Sequence, residues 1–281
     1  MDIGVELFPT DQVPRPGRVA AEAEARGIES IWFPEHTHIP TSRRTPFPGG
    51  GPLPEHYRRT LDPFVAIASA AAATTTLRLA TGICLVAQRD PILTAKEVAS
   101  VDYLSDGRFL FGIGVGWNLD EMEHHGVDPK RRRALVREKV LAMRELWTDD
   151  AGAFSGEYVS FSPSWSWPKP VQHPHPPIIM GGAAGPTTFA QVVEYCDGWM
   201  PIHGRREVLP RLAELRALAE QVGRDPASIE LGVFGAPAAD DVLESYAQNG
   251  FRRVVIALPQ DRGEAGVLEE LDRAAKFVAV Y

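Results

Sequence analysis

Residues 77–114, LRLATGICLVAQRDPILTAKEVASVDYLSDGRFLFGIG, decide the fold of this 281-residue chain. The stretch opens with an apolar run, Leu77 to Val86, and closes with another, Arg108 to Gly114. Between them, Asp90-Pro91 begins a helix, because Asp accepts hydrogen bonds from the first free N–H groups and Pro suits the first helical position. Leu104 to Gly107 ends that helix. The stretch therefore predicts a strand, a helix and a second strand.

The same alternation extends over the whole chain. Apolar residues at helical spacing separate the strand-like runs, and Asp62-Pro63 marks another helix start. Eight runs are predicted as strands: Ile3 to Phe8, Ile28 to Phe33, Leu77 to Val86, Arg108 to Gly114, Pro177 to Gly181, Gly198 to Ile202, Ile229 to Gly235 and Arg253 to Leu258. Strands apolar at nearly every position belong to a parallel sheet covered on both faces. Eight strand–helix units in about 250 residues predict an α/β fold of the (β/α)8 TIM-barrel type. A doubly wound sheet usually has fewer strands. A single barrel domain over residues 1–281 is predicted.

Two segments interrupt the repeat: Thr41 to Tyr57 after strand two, and Asp149 to Pro177 before strand five. Phe154 to Phe161 within the second is predicted to form a small hairpin. Loops this long in a compact domain are usually functional lids or spacers. We expect both insertions to shape the substrate pocket, with Trp165 and Trp167 as apolar walls or simply as parts of a packed loop.

Charge and composition exclude several classes of partner. The chain has 29 Lys plus Arg and 37 Asp plus Glu, a net charge of −8, and it lacks the basic stripe that a nucleic acid would require. Cys84 and Cys196 are too few for a disulfide framework, so a reducing cytoplasm is the expected location. The longest apolar stretch, Phe64 to Ala73, falls well short of the ~20 residues that span a bilayer. The N-terminus has no charged region of a signal peptide. We therefore expect neither a membrane nor a nucleic acid as partner.

Small residues follow the predicted fifth strand, in the sequence Gly181-Gly182-Ala183-Ala184-Gly185, and a helix begins at Pro186. Such small side chains let a ligand approach the main chain, and the first turn of a helix presents free N–H groups to an anion. The turn lacks the Lys-Ser/Thr pair of a nucleotide P-loop. It is interpreted as a phosphate-binding turn, with a plain strand-to-helix turn as the alternative.

A second glycine cluster, Gly112 to Trp117, follows the predicted fourth strand. Trp117 occupies the position where a dinucleotide-binding motif requires glycine, so that motif is not present. Residues 118–126 are polar and are predicted to form a loop. The cluster is interpreted as part of the barrel mouth, where Trp117 contacts a flat ligand; the alternative is that Trp117 packs in the core.

Ionisable residues stand at the predicted end of strand two and just after strand six. Glu35 and His36 are suited to acid–base chemistry near neutral pH. His36 and His38 are alternatively a metal-binding pair, although predicted strands five and eight end without a further histidine ligand. Arg205 and Arg206 either reach an anionic ligand or begin a solvated helix.

At this point the sequence resembles the luciferase-like monooxygenase superfamily and, within it, the oxidoreductases that depend on the deazaflavin coenzyme F420. The resemblance covers nearly the whole chain. Its landmarks are Trp32 to His36, Leu79 to Ile83, Lys96 to Arg108, Gly112 to Asn118, Glu145 to Trp147, Pro168 to Gln172, Pro176 to Ile178, Gly181-Gly182 and Asp197 to Trp199.

The resemblance implies a TIM barrel with the cofactor ring at the mouth. It implies a non-proline cis peptide at Gly82-Ile83 behind the ring, and it places Glu35 and His36 beside the ring. We expect His36 to act as proton shuttle or ring polariser, with Glu35 fixing its tautomer or contacting the ring. The implied cofactor-binding residues are Gly82, Ile83, Gly114, Gly116, Trp117, Asn118, Gly181, Gly182, Ala183 and Ala184. No metal ligand is implied.

The function that follows is hydride transfer between coenzyme F420 and a small organic substrate. Sugar-phosphate dehydrogenases of this family have a glutamate where this chain has Trp117, so their proton-transfer scheme is not expected here. Three alternatives stay open: an FMN-dependent monooxygenase, a metal-dependent barrel hydrolase, and a protein that only sequesters the cofactor. Family members are often dimers, which leaves a homodimer open.

Overall fold

Eight parallel strands form a closed barrel in the computed structural model, which describes residues 1–281. The barrel strands are β1 (Asp2–Glu6), β2 (Ser30–Phe33), β3 (Arg78–Thr81), β4 (Phe109–Ile113), β7 (Ile178–Gly181), β8 (Gly198–Met200), β9 (Glu230–Phe234) and β10 (Arg253–Ala257). Each pairs with the next in this order, and β10 pairs with β1 to close the barrel, with Asp2 opposite Arg253. All eight predicted strands and the TIM-barrel fold are confirmed.

Helices surround the barrel. They are α1 (Pro16–Ala25), α2 (Pro63–Ala73), α3 (Pro91–Leu104), α4 (Leu119–His124), α5 (Arg132–Thr148), α6 (Pro186–Tyr195), α7 (Leu212–Gln221), α8 (Asp240–Gln248) and α9 (Gly263–Val278). The two predicted caps are confirmed, since Asp62 accepts hydrogen bonds from the N–H groups of Phe64 and Val65, and Asp90 accepts one from Leu93. None of these helices is both long and apolar enough to cross a membrane.

The short helix α4 contradicts the sequence interpretation, which predicted a polar loop over residues 118–126. Asn118 caps this helix, because its side chain accepts a hydrogen bond from the Glu121 N–H at 3.5 Å. The helix buries Glu121 and Met122 and leaves its other face polar. A cap residue followed three positions later by glutamate is a known helix-start pattern, and this signal was available in the sequence.

Apolar side chains fill two layers of the molecule. The larger layer, of 59 buried residues, lies mainly between the strands and the helices. The smaller layer lies inside the barrel and takes one side chain from each of seven strands: Trp32, Ala80, Leu110, Ile179, Met200, Phe234 and Val255. The barrel interior is therefore packed, and Met200 and Phe234 form part of the floor of the cavity described below.

The two insertions lie at different ends of the barrel. The first lies in the connection from the carboxyl end of β2 to α2, and a short 3-10 helix, Glu55–Arg59, begins within it. The second joins α5 to β7 and contains the antiparallel hairpin of β5 (Ala151–Ser155) and β6 (Ser160–Trp165). The predicted hairpin is confirmed, with longer strands than predicted. Because a helix in this fold returns to the amino ends of the strands, the second insertion starts away from the barrel mouth.

Candidate active site

A cavity of about 360 Å³ opens at the carboxyl ends of the barrel strands. Seven strand ends and the first insertion supply its walls. The lining residues are Glu6, Phe8, Pro34, Glu35, His36, Phe47, Pro48, Tyr57, Gly82, Ile83, Leu85, Val115, Gly116, Trp117, Gly181, Gly182, Met200, Ile202, Arg205, Phe234 and Gly235. The cavity is thus mainly apolar and aromatic, with a few ionisable groups.

The second insertion does not shape this cavity, so that expectation was wrong. No lining residue falls between Asp149 and Pro177. Trp165 and Trp167 are instead 80% and 59% exposed, respectively. The reason is topological: the segment connects a helix to the amino end of a strand, whereas the first insertion leaves a strand at its carboxyl end.

His36 is buried just after β2, and a residue from another wall of the barrel mouth binds its ring. Its Nδ1 atom lies 2.8 Å from Oε2 of Glu121, a fully buried residue of α4. The rings of Tyr57 and Trp117 pack against the imidazole, with centroids 5.2 and 5.8 Å away. The cavity-facing position predicted for Trp117 is therefore observed.

Glu35 does not set the orientation of His36, which corrects one of the two roles suggested for it. Its Oε1 accepts a hydrogen bond from Arg89 Nε at 2.6 Å, and its Oε2 accepts one from the main-chain N–H of Leu85, also at 2.6 Å. Arg89 in turn pairs with Asp62 and Glu97. Both carboxylate oxygens of Glu35 are thus engaged by the protein, although its side chain borders the cavity.

Glu6 is an ionisable residue of the cavity that the sequence interpretation missed. It is the last residue of β1, and its carboxyl group shares the cavity wall with Arg205 and Tyr57. Burial raises the pKa of Glu6 to about 7, although the positive charge of Arg205 opposes the shift. Burial and the neighbouring Glu6 likewise raise the pKa of Tyr57 to about 12. Glu6 can therefore exchange a proton near neutral pH.

Ile83 forms one wall of the cavity beside two glycines. The Gly82-Ile83 peptide is cis, as the family resemblance implied. The Ile83 side chain occupies the space where Gly114 and Gly181 would carry a Cβ, which would lie 1.7 and 2.7 Å from its atoms. Of the predicted cofactor-binding residues, Gly82, Ile83, Gly116, Trp117, Gly181 and Gly182 line the cavity.

Four other predicted binding residues lie outside the cavity wall. Gly114 makes room for Ile83, and Asn118 caps α4. Ala183 and Ala184 continue the turn that leads to the N-terminus of α6, beyond the lining residue Gly182. Their contact with a ligand stays a prediction.

Two arginine side chains lie near the N-terminus of α6, and one of them, Arg211, is paired with Glu214. A Cβ atom on Gly185 would lie 3.5 Å from Nη1 of Arg211 and 4.0 Å from Nη1 of Arg206. Arg211 Nη1 also donates a hydrogen bond to the Ala184 carbonyl group at 3.0 Å. Of the two arginines predicted to reach an anion, Arg206 approaches this helix end, whereas Arg205 faces the cavity.

His36 and His38 do not form the metal-binding pair considered from the sequence. His36 is buried against Glu121, whereas His38 is exposed and contacts His124 through ring nitrogens 2.9 Å apart. No three His, Cys, Asp or Glu side chains are arranged as a metal-binding group.

The fold and the cavity together define a TIM-barrel protein with its site at the usual carboxyl face. Residues 9–276 match the family model of the luciferase-like monooxygenases. The chain belongs to the luciferase-like monooxygenase family.

Individual relatives differ in their chemistry. A protein of Mycobacterium tuberculosis is 39% identical over 284 residues, 99% of each chain. The F420-dependent hydroxymycolic acid dehydrogenase of the same species is 25% identical over 260 residues, 91% of this chain and 67% of the dehydrogenase. Monooxygenase RslO1 from Streptomyces bottropensis shares the fold with a TM-score of 0.76 and 22% identity, over 99% of this chain and 98% of that one.

Proposed function

We propose that this protein is an oxidoreductase that transfers a hydride between coenzyme F420 and a small organic substrate. The observation that carries the proposal is that Glu6 and His36, two groups suited to proton exchange, line one largely apolar cavity. Hydride transfer to the carbon of a carbonyl group, or from the carbon of an alcohol, requires a proton to move to or from the adjacent oxygen. A group that titrates near neutral pH moves that proton efficiently. The F420-dependent dehydrogenase among the relatives supports the choice of cofactor.

The residues of the mouth fit a flat, phosphorylated cofactor. Ile83 and the glycines beside it offer an apolar wall, and Trp117 stands near it in the same cavity. The N-terminus of α6 with Arg206 offers an anion site for the phosphate group. A deazaflavin held there would supply or accept the hydride.

The chain's own side chains would control the proton. Because Nδ1 of His36 is bonded to Glu121, Nε2 is the ring nitrogen left for a partner in the cavity. Glu6, partly protonated at neutral pH, is a second group that can donate or accept this proton. Glu35, held by Arg89 and the Leu85 N–H, is proposed to keep the end of β2 in place. The surrounding aromatic side chains limit the access of water.

A binding titration tests the cofactor. Purified protein is titrated separately with F420 and FMN, and both cofactor fluorescence and the thermal midpoint are recorded. A ligand at 100 times its Kd stabilises the folded state by about 2.7 kcal/mol, which raises the midpoint of a chain of this size by roughly 5–10 °C. We expect this rise with F420 and a much smaller one with FMN.

The other outcomes are equally informative. Tight binding of FMN alone, together with oxygen consumption by the reduced complex, would support the FMN-dependent monooxygenase instead. Binding of neither cofactor would refute the proposal. Cofactor binding without turnover of any alcohol or carbonyl compound in a broad panel would support a sequestering role. A His36→Ala variant that binds F420 normally and retains full turnover would refute the role of His36.

A further inference from the structure

Arg205 is the only Lys or Arg among the residues that line the cavity. It follows β8 and is partly buried. No hydrogen bond or ion pair within the chain engages its guanidinium group. Arg89, the arginine just outside the cavity, differs in that Glu35, Asp62 and Glu97 all bind it. A guanidinium group without a partner in the chain is available to bind an anionic group of a ligand in the cavity.

The charge of Arg205 lowers the pKa of Glu6, but Glu6 does not fully neutralise the arginine. Burial raises the pKa of Glu6 to about 7 despite Arg205, so a large fraction of Glu6 is uncharged at neutral pH. The charges of Glu6 and Arg205 both shift the pKa of Tyr57, so these three residues form one corner of the cavity. This corner offers three kinds of donor, namely guanidinium N–H, phenol O–H and protonated carboxyl O–H.

Apart from Glu35 and His36, most of the remaining cavity wall is apolar. Phe8, Phe47, Trp117, Ile83 and Phe234 belong to this apolar part. The ligand that fits has a small apolar body and one compact anionic oxygen group. A carboxylate matches the planar guanidinium group well, because it can accept two parallel hydrogen bonds from it.

We infer that the substrate of this site is a small apolar carboxylate, and that Arg205 binds its carboxylate group. The inference rests on the proposed oxidoreductase function and specifies its substrate class. Arg205 would act as a specificity-determining residue, because neutral analogues of the same shape would leave its charge unpaired. The anionic groups of the cofactor are the other source of the same chemistry, and the experiment separates the two.

The test uses cinnamate and its neutral analogue cinnamamide as probes. Binding to the protein, with and without F420, is measured by calorimetry for wild type, Arg205→Gln, Arg205→Lys and the control Arg58→Gln. Arg58 is an exposed arginine just after the first insertion, and it pairs with Glu55. We expect Arg205→Gln to weaken cinnamate binding about 10- to 100-fold, Arg205→Lys to weaken it less, and Arg58→Gln to leave it unchanged. Cinnamamide should bind weakly to all four proteins, and Arg205→Gln should not weaken its binding.

The pH dependence gives an independent check. The other titratable or charged groups that line the cavity with Glu6 are Arg205, Tyr57, His36 and Glu35. Ionisation of Glu6 places a negative charge beside Arg205, so cinnamate should bind several-fold more weakly at pH 8.5 than at pH 6. A Glu6→Gln variant should lose most of this dependence.

Three results would overturn the inference. The first is that cinnamate binds wild type no better than cinnamamide does. The second is that Arg205→Gln binds cinnamate as wild type does. The third is that Arg205→Gln loses affinity for F420 alone, which would assign Arg205 to the cofactor. Binding of cinnamate that depends on Arg205 in a protein that fails to bind F420 would instead refute the proposed function and leave the carboxylate site standing.

Discussion

Nδ1 of His36 lies 2.8 Å from Oε2 of Glu121, a residue 85 positions further along the chain. His36 follows β2, and Glu121 lies on α4, which follows β4. The contact therefore joins two walls of the barrel mouth. Both side chains are buried, and Oε1 of Glu121 has no partner within the chain. The carboxylate therefore holds the imidazole in one orientation and favours a proton on Nδ1.

Replacement of Glu121 should impair turnover more than cofactor binding. In Glu121→Ala the imidazole loses its orienting acceptor, and we expect kcat to fall about 10- to 100-fold, the usual cost of removing such a supporting group. Glu121→Gln keeps an acceptor for Nδ1–H and should retain more activity. Steady-state kinetics and F420 titration measure the two effects, with the exposed Glu220→Gln on α7 as control. An equal loss in Kd and kcat for both variants would show a merely structural role.

Loss of Arg89 should destabilise the fold. Arg89→Met leaves Glu35 as a buried carboxylate without its cation, and breaking a buried pair on one side costs about 3–5 kcal/mol. Urea unfolding followed by far-UV circular dichroism measures this change. Arg58→Met, which removes an exposed pair with Glu55, should cost less than about 1 kcal/mol. Comparable losses of stability in the two variants would contradict a stabilising role of the buried pair between Arg89 and Glu35.

Glu6 should make stability depend on pH. Because its pKa is raised from 4.5 to about 7, the folded protein binds this proton more tightly than the unfolded chain does. The free energy of unfolding therefore falls as the pH rises from about 4.5 through 7. Glu6→Gln removes this penalty and should gain about 1–3 kcal/mol relative to wild type at pH 8.5, and less at pH 5. Chemical denaturation at both pH values tests this, and a gain independent of pH would contradict it.

Arg206 should contribute to affinity for a phosphorylated cofactor. Arg206→Ala removes a guanidinium group close to Gly185 at the start of α6. We expect F420 to bind about 10-fold more weakly, as for one charged hydrogen bond, while the deazaflavin fragment without phosphate binds unchanged. Fluorescence titration with both compounds gives the ratio. A similar loss for the two compounds would place the phosphate elsewhere.

The barrel could be predicted because its signals are local. A strand is visible as an apolar run such as Arg108 to Gly114, and a helix start as Asp62 or Asp90 before proline. Neither signal needs a partner elsewhere in the chain. For the same reason the small-residue turn at Gly181 to Gly185 and the acid–base candidates after β2 could be found in the sequence.

Other features of the site depend on what surrounds a residue in space. Glu6 resembles any strand-end glutamate until the barrel encloses it beside Arg205 and Tyr57, and only that enclosure raises its pKa. Glu35 and His36 are adjacent in the sequence, yet one binds Arg89 and the other binds Glu121.

The chain by itself thus determined the order of the barrel strands and their main helices, and the barrel that they form. Tertiary structure alone decided which charges meet, which insertion reaches the cavity and which carboxyl group holds a proton at neutral pH. Secondary structure follows from local preferences and hydrophobic periodicity. Charge pairing and pKa shifts depend instead on distance and burial, which exist only once distant segments have packed together.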